Sequence, residues 1–516
     1  MSRANLDPIT LEILWTRLTS AVDEAAAAFV RTSFSTLVRE ANDFAVVLTD
    51  AQGRSLAQSS MSIPSFIGTL PATAKHFLRH FTPSGLEPGD VLITNDPWMG
   101  TGHIHDVTIG MPIFREGKLT AFAVSTSHVP DIGGRLRNSG IPEIFEEGLQ
   151  IPLLKLVRKG VVDEAVTSFI KQNVRVPDQT MGDLWGQVAA CRMLETRLND
   201  LLDETGIELE VLGGEIRQRS EAAMRNAIRA LPDGVYTARL EHDGFEEPLV
   251  INSRVTVAGD TIDIDYEGSS PQLRRSVNVV PIYTFAYTAY GVKALLSPDV
   301  PNNEGAFLPI TTRAPLGSVF NPVYPAATGA RALVGHLMPV AFIAALADIL
   351  PDRVVAPGCA NSSFTLSGDD RGRRYAVVNF LNAGQGASAE RDGLSATSFP
   401  SNLGNTPIEV MEAEAPIRVL YRNLRRGSGG KGLHRGGDGL DFAFRFVGET
   451  PATCSFMAQR HNVPAPGLKG GEAGQQAVIK VNGVDVDPAN HMTLHHGDLI
   501  EMKTAGGGGF GNIASG

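Results

Sequence analysis

The sequence contains no hydrophobic run that approaches the roughly 20 uninterrupted apolar residues of a membrane-spanning helix. Its N-terminal segment, MSRANLDPITLEILW, also lacks the basic start, apolar centre and small-residue cleavage site of a secretory signal. These two absences argue against an integral membrane protein and against a secreted one. The sequence therefore predicts a cytoplasmic protein.

Cysteine is scarce as well. The chain of 516 residues has three cysteines, Cys191, Cys359 and Cys454. Their wide separation excludes a disulfide framework, a zinc knuckle and a paired redox motif. Free cysteine is among the most frequently buried residue types, so we interpret all three as small core residues.

Basic residues are outnumbered: 45 Lys and Arg stand against 56 Asp and Glu, which gives a formal net charge of −11. This balance repels nucleic-acid phosphates and anionic lipids, so neither is expected as a partner. A phosphate-binding loop of the pattern G-x-x-x-x-G-K-[ST] is also missing. The segment GSGGKG at 427–432 lacks both the spacing and the final hydroxyl residue, and we interpret it as a turn.

Hydrophobic periodicity indicates an α+β fold with mixed or antiparallel sheets. From Pro8 to about Phe34, apolar residues recur at spacings of three and four residues, which predicts a helix at the start of the chain. Short strand-like runs follow between residues 44 and 122, and helical spacing returns from 179 to 230. A chain of this length exceeds a single compact core.

Beyond Asp233 the pattern becomes β-rich, then helical from about 285 to 350, and then rich in glycine and short strands. The glycine-rich stretches 427–439, 467–474 and 506–511 are typical of turns with positive φ. We predict one intertwined body of three regions. They are 1–232 with the candidate site, 233–353 with a β-rich and a helical part, and a β-dominated 354–516 with abundant glycine.

One pair of segments concentrates residues that carry chemistry. The segment NDPWMGTGHIHD at 95–106 is followed by SHVPDIGG at 127–134. Between them, strand-like runs at 107–114 and 119–126 flank a credible hairpin turn, Arg115-Glu116-Gly117-Lys118. With Glu116 and Gly117 as the loop, the predicted register places Asp106 opposite Ser127, and His105 opposite His128.

Directly opposed residues of antiparallel strands lie about 5 Å apart. The hairpin therefore gathers five polar residues at its open end: His103, His105, Asp106, His128 and Asp131. Neutral imidazole and carboxylate suit Zn²⁺ or Mn²⁺, and three protein ligands with one free position are typical of a catalytic metal site. The alternative is that these groups satisfy one another at a sheet edge.

Strand geometry leaves the choice of ligands open. In an ideal strand His103 and Asp106 face opposite sides, because side chains alternate. They can share a metal only if the chain bends between Gly102 and Asp106. If the segment stays extended, His103 and His105 form the better pair.

These segments resemble the hydantoinase B/oxoprolinase family, which includes B-type subunits of ATP-dependent hydantoinases, lactamases and ketone carboxylases. The resemblance runs through DPITLEI, REANDF, GDVLITNDPWMGTGHIHDV, SHVPDIGG, EIFEEGLQIPLLKL, NVRVPDQTMGDL, PIEVMEAEAPIRV, GSGGKGLHRGGDG and TAGGGGFGN. The sequence departs from the family pattern after DIGG, where many members have a Pro-Gly-Ser run and this chain has Arg135-Leu136-Arg137-Asn138. The departure is expected to alter substrate selection.

The resemblance implies which residues form the site. A His-x-x-Asp pair and a later histidine hold the metal in related subunits, and they correspond here to His103, Asp106 and His128. The resemblance thus favours Asp106 over His105. Asp43, in REANDF, matches an aspartate implicated in some members, as a fourth ligand or base. His105 or Asp131 would orient ligands or relay a proton.

The resemblance also implies that two different subunits catalyse successive steps of the reaction. An A-type partner with an actin-like fold uses ATP, with Mg²⁺, to phosphorylate the oxygen of an amide or ketone, and the B-type chain performs the second step. We expect hydrolysis of a cyclic amide such as a hydantoin, 5-oxoproline or another lactam, within a hetero-oligomer. Two alternatives are carboxylation of a ketone-derived enol and a scaffold that only organises the ATP-binding partner.

Overall fold

The computed structural model describes residues 6–513. Helix α1 (Pro8–Thr32) begins where the Asp7 side chain accepts hydrogen bonds from the backbone N–H groups of Ile9 and Thr10, and Pro8 occupies its first turn. Its apolar residues form one buried stripe, including Leu11 and Leu18. The predicted opening helix is confirmed.

The N-terminal part is built around a seven-stranded sheet of order β2-β1-β5-β4-β3-β6-β7, in which all neighbouring pairs are antiparallel. In chain order its elements after α1 are α2 (Thr36–Arg39), β1 (Phe44–Asp50), β2 (Ser55–Gln58), α3 (Phe66–Phe81), β3 (Val91–Thr94), β4 (Asp106–Arg115), β5 (Lys118–His128), β6 (Leu154–Arg158), β7 (Val161–Val162), α4 (Glu164–Asn173), α5 (Pro177–Thr205) and α6 (Leu209–Arg229).

Helices cover both faces of this sheet. Alternate strand residues such as Val46 and Ile109 pack against α1, α5 and α6, whereas Val47 and Leu92 pack against α3. Because both faces are buried, the strands are apolar on both sides instead of alternating with polar residues. This double cover also buries the end of the sheet at which the candidate site lies.

The hairpin of β4 and β5 has the predicted turn but a different register beyond a bulge. Phe114 pairs with Leu119 as predicted, whereas Ile113 pairs with Ala121, so Thr120 is an additional residue in β5. The one-residue shift places Asp106 opposite His128 and Val107 opposite Ser127. The predicted pairings of Asp106 with Ser127 and of His105 with His128 were therefore wrong.

The middle part carries a four-stranded sheet of order β11-β10-β9-β8, which begins close to the predicted Asp233. Its elements are β8 (Gly234–His242), β9 (Leu249–Ala258), β10 (Thr261–Asp265), α7 (Pro281–Leu296), β11 (Ile310–Arg313), α8 (Ala332–Gly335) and α9 (Leu337–Ala345). The predicted helical stretch from 285 to 350 is interrupted by β11, which pairs in parallel with β10.

The C-terminal part contains two further antiparallel sheets, of order β13-β12-β16-β19 and β14-β15-β20-β17-β18, with a shared apolar core. Its elements are β12 (Asn361–Asp370), β13 (Arg373–Asn382), α10 (Ile408–Glu414), β14 (Ile417–Leu424), β15 (Leu440–Phe446), β16 (Ala452–Ala458), β17 (Val478–Val481), β18 (Val484–Asp485), β19 (Met492–Leu494) and β20 (Leu499–Lys503). The α+β class is confirmed, while the division into three regions stays a prediction.

The cysteines and the helices can also be compared with the predictions from the sequence. Cys191, Cys359 and Cys454 are all free and buried, as predicted. Within residues 6–513, no helix combines the length and the apolar character needed to cross a membrane.

The glycine-rich stretches are only in part the turns that we predicted. Gly427, Gly470 and Gly511 have positive φ, as predicted. Gly506 to Gly509 do not adopt positive φ; they are buried and lie against the backbone of other glycine-rich segments. A Cβ atom on Gly507 would stand 2.0 Å from the carbonyl oxygen of Gln385, and one on Gly509 would stand 2.1 Å from that of Lys431. Glycine is required there by close backbone packing.

We expect Gly507→Ala to lower the free energy of unfolding by about 3 kcal/mol, because rigid backbone must move to admit the methyl group. Gly214→Ala is the matched control: it lies in α6, and an added Cβ meets no heavy atom within 4 Å. That change should raise stability by about 0.5–1 kcal/mol. Urea unfolding of both variants measures the difference, and equal effects would contradict this packing argument.

Candidate metal centre

Three adjacent strands bring three of the predicted residues side by side. Asp43 directly precedes β1, His128 ends β5 and Asp106 begins β4. The backbone N–H of His128 donates to the carbonyl oxygen of Asp43 at 3.1 Å, and His128 is the ladder partner of Asp106. Residues at the same level of neighbouring strands project from the same face of a sheet, so these side chains converge.

His103 joins them through a bend in the chain. The segment before Asp106 is not a strand, and Gly102 has a φ of +97°, which glycine adopts without steric cost. A Cβ atom on Gly102 would also lie 2.8 Å from Nε of Arg331. The bend proposed between Gly102 and Asp106 is present, and it places His103 beside Asp106.

The resulting cluster is compact and buried. Oδ1 of Asp106 lies 2.7 Å from Nε2 of His103 and 3.0 Å from Nδ1 of His128. The three residues are at most 2% exposed. Asp43 is close by, with Oδ2 at 4.0 Å from Nδ1 of His128. The ligand atoms of His103, Asp106 and His128 all lie within 4.8 Å of one another, so this trio could hold a metal ion.

The second oxygen of Asp106 is fixed by other residues. Oδ2 accepts hydrogen bonds from Oγ1 of Thr101 and Nη2 of Arg331, both at 2.7 Å. The Arg331 side chain is itself held, because its Nε donates to the carbonyl oxygen of Thr101 and its guanidinium stacks on the ring of Tyr283. Oδ2 is thereby engaged, and Oδ1 is left facing the two imidazoles.

The protonation of the cluster follows from its partners. Nδ1 of His103 lies 3.1 Å from the carbonyl oxygen of Gly329, which can only accept, so Nδ1 carries the proton and Nε2 offers a lone pair. Burial lowers the pKa of His103 to about 3 and that of His128 to about 4. Both imidazoles are therefore neutral at physiological pH, the form that binds metals.

The two carboxyl groups are held in different states. Burial opposes ionisation of Asp106, but the Arg331 guanidinium and the hydrogen bond with Nδ1 of His128 hold the pKa of this carboxyl well below its ordinary value. Burial, reinforced by the charge of Asp106, raises the pKa of Asp43 to about 7. Asp106 is thus ionised at neutral pH, whereas Asp43 titrates close to neutral pH.

Unpartnered atoms show that a divalent ion fits this cluster. Within residues 6–513, Nε2 of His103 and Nε2 of His128 have no hydrogen-bond partner although both are buried. The 2.7 Å approach of the His103 lone pair to Oδ1 of Asp106 brings two acceptors together, an arrangement that a cation between them satisfies. Two imidazoles and one carboxylate match the donor preferences of Zn²⁺ and Mn²⁺.

His105 and Asp131 occupy different positions relative to the cluster. The His105 ring stacks on His128 at 5.6 Å, its Nδ1 has no partner among the described residues, and burial lowers its pKa well below the ordinary value. Asp131 instead accepts hydrogen bonds from the Arg175 guanidinium at 2.5 Å and from the backbone N–H of Gly133. The structure gathers His105 into the cluster but leaves Asp131 outside it, as a turn residue.

Sequence reasoning missed three charged residues beside the site. Arg331 reaches Asp106 across 225 positions of sequence, and nothing in its surroundings, GARALVGH, indicates this role. Glu147 is fully buried, accepts from the backbone N–H groups of Thr328 and Gly329, and has its pKa raised to about 8 by burial. Arg137 was noted only as part of the departure from the family pattern. Glu147 could have been found, since it lies in the segment EIFEEGLQ.

A small cavity of about 40 Å³ opens beside the cluster. It is lined by the trio, Asp43, Arg137, Arg331 and residues of all three parts of the chain. A larger cavity of about 420 Å³ is also lined by the segments 62–67 and 398–403, through other residues of each segment. These two segments therefore form a wall between the larger cavity and the cluster.

The fold and the site together define an α+β protein with a buried His-Asp-His cluster that could hold a metal ion, located where the internal strands β1, β5 and β4 of an antiparallel sheet meet. The model of the Hydantoinase B/oxoprolinase family matches residues 7–513. The chain belongs to this family.

Individual relatives agree with this assignment. A protein of Pseudomonas sp. (strain NS671), provisionally named as the B subunit of a D-/L-hydantoinase, is 30% identical over 98% of this chain and 90% of its own length. The crystal structure of an ATP-dependent caprolactamase from Pseudomonas jessenii superposes with a TM-score of 0.91 at 27% identity, covering 98% of this chain and 92% of that one.

A nucleotide-free acetone carboxylase structure superposes with a TM-score of 0.88 at 21% identity, covering 98% of this chain and 76% of that one. At this identity the likeness shows the shared fold alone. Other relatives of the chain include the 5-oxoprolinases of Arabidopsis thaliana and Dictyostelium discoideum, which are 27% and 28% identical over 98% of this chain and 42% and 40% of their own lengths.

Proposed function

We propose that this chain is the metal-dependent hydrolytic subunit of an ATP-dependent cyclic amidase that opens a hydantoin, 5-oxoproline or another lactam ring. The observation that carries the proposal is the buried cluster of His103, Asp106 and His128, with a lone pair of one histidine directed at the free carboxylate oxygen. The hydantoinase and caprolactamase relatives support a cyclic amide as substrate.

A cyclic amide resists water because its carbonyl is stabilised by resonance and its nitrogen is a poor leaving group. Phosphorylation of the amide oxygen by a partner makes the carbon electrophilic. A divalent ion held by the cluster would supply Lewis acidity and would lower the pKa of a bound water molecule toward neutral pH. In this proposal His103, Asp106 and His128 hold the ion, and Arg331 and Thr101 orient the carboxylate of Asp106.

Two further residues complete the proposed site. Asp43 lines the cavity beside His128 and acts as a further ligand or as the proton acceptor. His105, stacked on His128, positions that ring. For Asp131 the contacts support an anchoring role, in which its ion pair with Arg175 fixes the turn that follows β5.

The proposed partner is an A-type chain that binds ATP with Mg²⁺. Support comes from the Pseudomonas relative, whose name as the B subunit of a hydantoinase implies another subunit in that enzyme, and from the ATP dependence named for the caprolactamase. The absence of a G-x-x-x-x-G-K-[ST] segment in this sequence agrees with phosphorylation by another chain.

The experiment is an ATP-coupled assay of the chain together with its A-type partner on a panel of hydantoins and lactams, each with and without bicarbonate. We expect ring opening that consumes ATP, requires both chains, is lost after chelation and is indifferent to bicarbonate. Turnover of a ketone that depends on bicarbonate would instead support the carboxylase alternative. If activity were unchanged after complete metal removal, the result would support the alternative in which this chain is only a scaffold for the ATP-binding partner.

A further inference from the structure

Arg137 is a buried cation whose donors are not used by the protein. The residue is 6% exposed and lines the small cavity together with His103, Asp106 and His128. Among residues 6–513, its Nε and Nη2 have no hydrogen-bond partner, and no carboxylate lies within ion-pair distance of it. These two nitrogens form one edge of the guanidinium, the edge that binds two oxygens of a planar or tetrahedral anion side by side.

The backbone around Arg137 is firmly anchored, so the loop holds the side chain beside the cavity. The carbonyl oxygen of Arg137 accepts from Oγ of Ser455 at 2.9 Å. On either side, the carbonyl oxygen of Leu136 accepts from Nε2 of His491, and Nδ2 of Asn138 donates to the carbonyl oxygen of Ala489. Ser455, His491 and Ala489 all belong to the C-terminal part, which thus fixes this loop against the metal centre.

An unpaired buried guanidinium is costly, since removing a charge from water is compensated only by hydrogen bonds and an opposite charge. Arg137 and Arg331 carry two positive charges beside the cavity, against the ionised Asp106 and Asp43, which is only partly ionised at neutral pH. A divalent ion at the cluster would add to this excess of positive charge, and a bound anion would compensate it. Burial lowers the pKa of Arg137 to about 10, so the group is still charged at neutral pH.

We propose that Arg137 binds an oxyanion of the molecule that reacts at the candidate metal centre, through its unpartnered guanidinium group. The oxyanion is either the phosphoryl group of the activated amide or a carboxylate carried by the substrate. This inference rests on the proposed function for the identity of that molecule.

Calorimetric binding of inorganic phosphate and of acetate to the full-length chain tests this role. We expect Arg137→Ala to weaken binding of one of these anions at least about 10-fold, since it removes hydrogen bonds to a charged group. Arg137→Lys should restore part of the affinity. Arg135→Ala is the control, because Arg135 is 47% exposed in its side chain and pairs with Glu146, and it should bind both anions as the wild type does.

The comparison of phosphate with acetate distinguishes the two possible oxyanions, the phosphoryl group of the activated amide and a carboxylate of the substrate. Loss confined to phosphate assigns Arg137 to the phosphoryl group, and loss confined to acetate assigns it to a substrate carboxylate. If the wild type binds neither anion, or if Arg137→Ala binds both with unchanged affinity, the inference is overturned. Metal content measured on the same samples separates this outcome from a failure of the proposed function, because Arg137 is not a proposed metal ligand.

Discussion

Replacing His128 with alanine should lower kcat/KM for ATP-dependent ring opening by roughly 10³-fold or more. The imidazole contributes one of three proposed ligands, and a metal ion that stabilises developing charge is worth several kcal/mol of barrier. The loss should appear in kcat, because in the proposed enzyme the partner subunit binds ATP and His128 takes no part in that binding. Steady-state kinetics of the two-subunit enzyme, with bound metal measured in parallel, provides the test.

His242→Ala is the matched control for this variant. His242 is likewise buried, with an unpartnered Nε2 among the described residues, but it lies beside Asp243 and lines a different cavity. Its removal should reduce stability while leaving metal content and kcat close to those of the wild type. Equal loss of activity in the two variants would show that burial of a histidine, and not metal binding, explains the effect.

Replacing Arg331 with methionine should destabilise the metal-free chain by about 3–5 kcal/mol, because it leaves the buried Asp106 carboxylate without its cationic partner. Arg331 is only 5% exposed in its side chain and lies 2.7 Å from Oδ2 of Asp106. Metal affinity should fall by roughly 10–100-fold, as expected when a residue that orients a ligand is removed. Urea unfolding and competitive metal titration measure the two effects.

Arg229→Met provides the comparison for the charge pair. Arg229 lies 2.5 Å from Asp260, but the two side chains are 53% and 30% exposed. Solvent screens this pair, so its loss should lower the free energy of unfolding by less than about 1 kcal/mol and should not alter metal affinity. If Arg331→Met also lowered the free energy of unfolding by less than about 1 kcal/mol, the buried Asp106 carboxylate would not depend on the Arg331 guanidinium for its stability.

Local patterns predicted much of the fold. The spacing of Leu11, Leu14 and Leu18 predicted α1, and the Glu116-Gly117 turn predicted the hairpin of β4 and β5. The bulge at Thr120 was beyond reach, because an additional residue in one strand leaves the alternation of short apolar runs almost unchanged. The glycine stretches were misinterpreted in part, for a related reason: close backbone packing and positive φ select the same residue.

The candidate site, like the fold, could be predicted from the sequence only in part. The clustering of His103, Asp106 and His128 followed from the hairpin and the glycine bend, although the resemblance to the family was needed to prefer Asp106 to His105. Arg331 could not be predicted, because its contact with Asp106 joins two parts of the chain that only the tertiary fold brings together. Asp131 appeared equivalent to the others until its pairing with Arg175 was visible.

The most direct test of this account is elemental analysis of the purified full-length chain. We expect about one zinc or manganese ion per chain, retained through gel filtration. We expect the ion to be absent from the variant His103→Ala, which lacks the imidazole whose Nε2 faces Asp106. A wild-type chain that holds no stoichiometric divalent metal, yet supports full ATP-dependent activity with its partner in the presence of a chelator, would contradict the central claim.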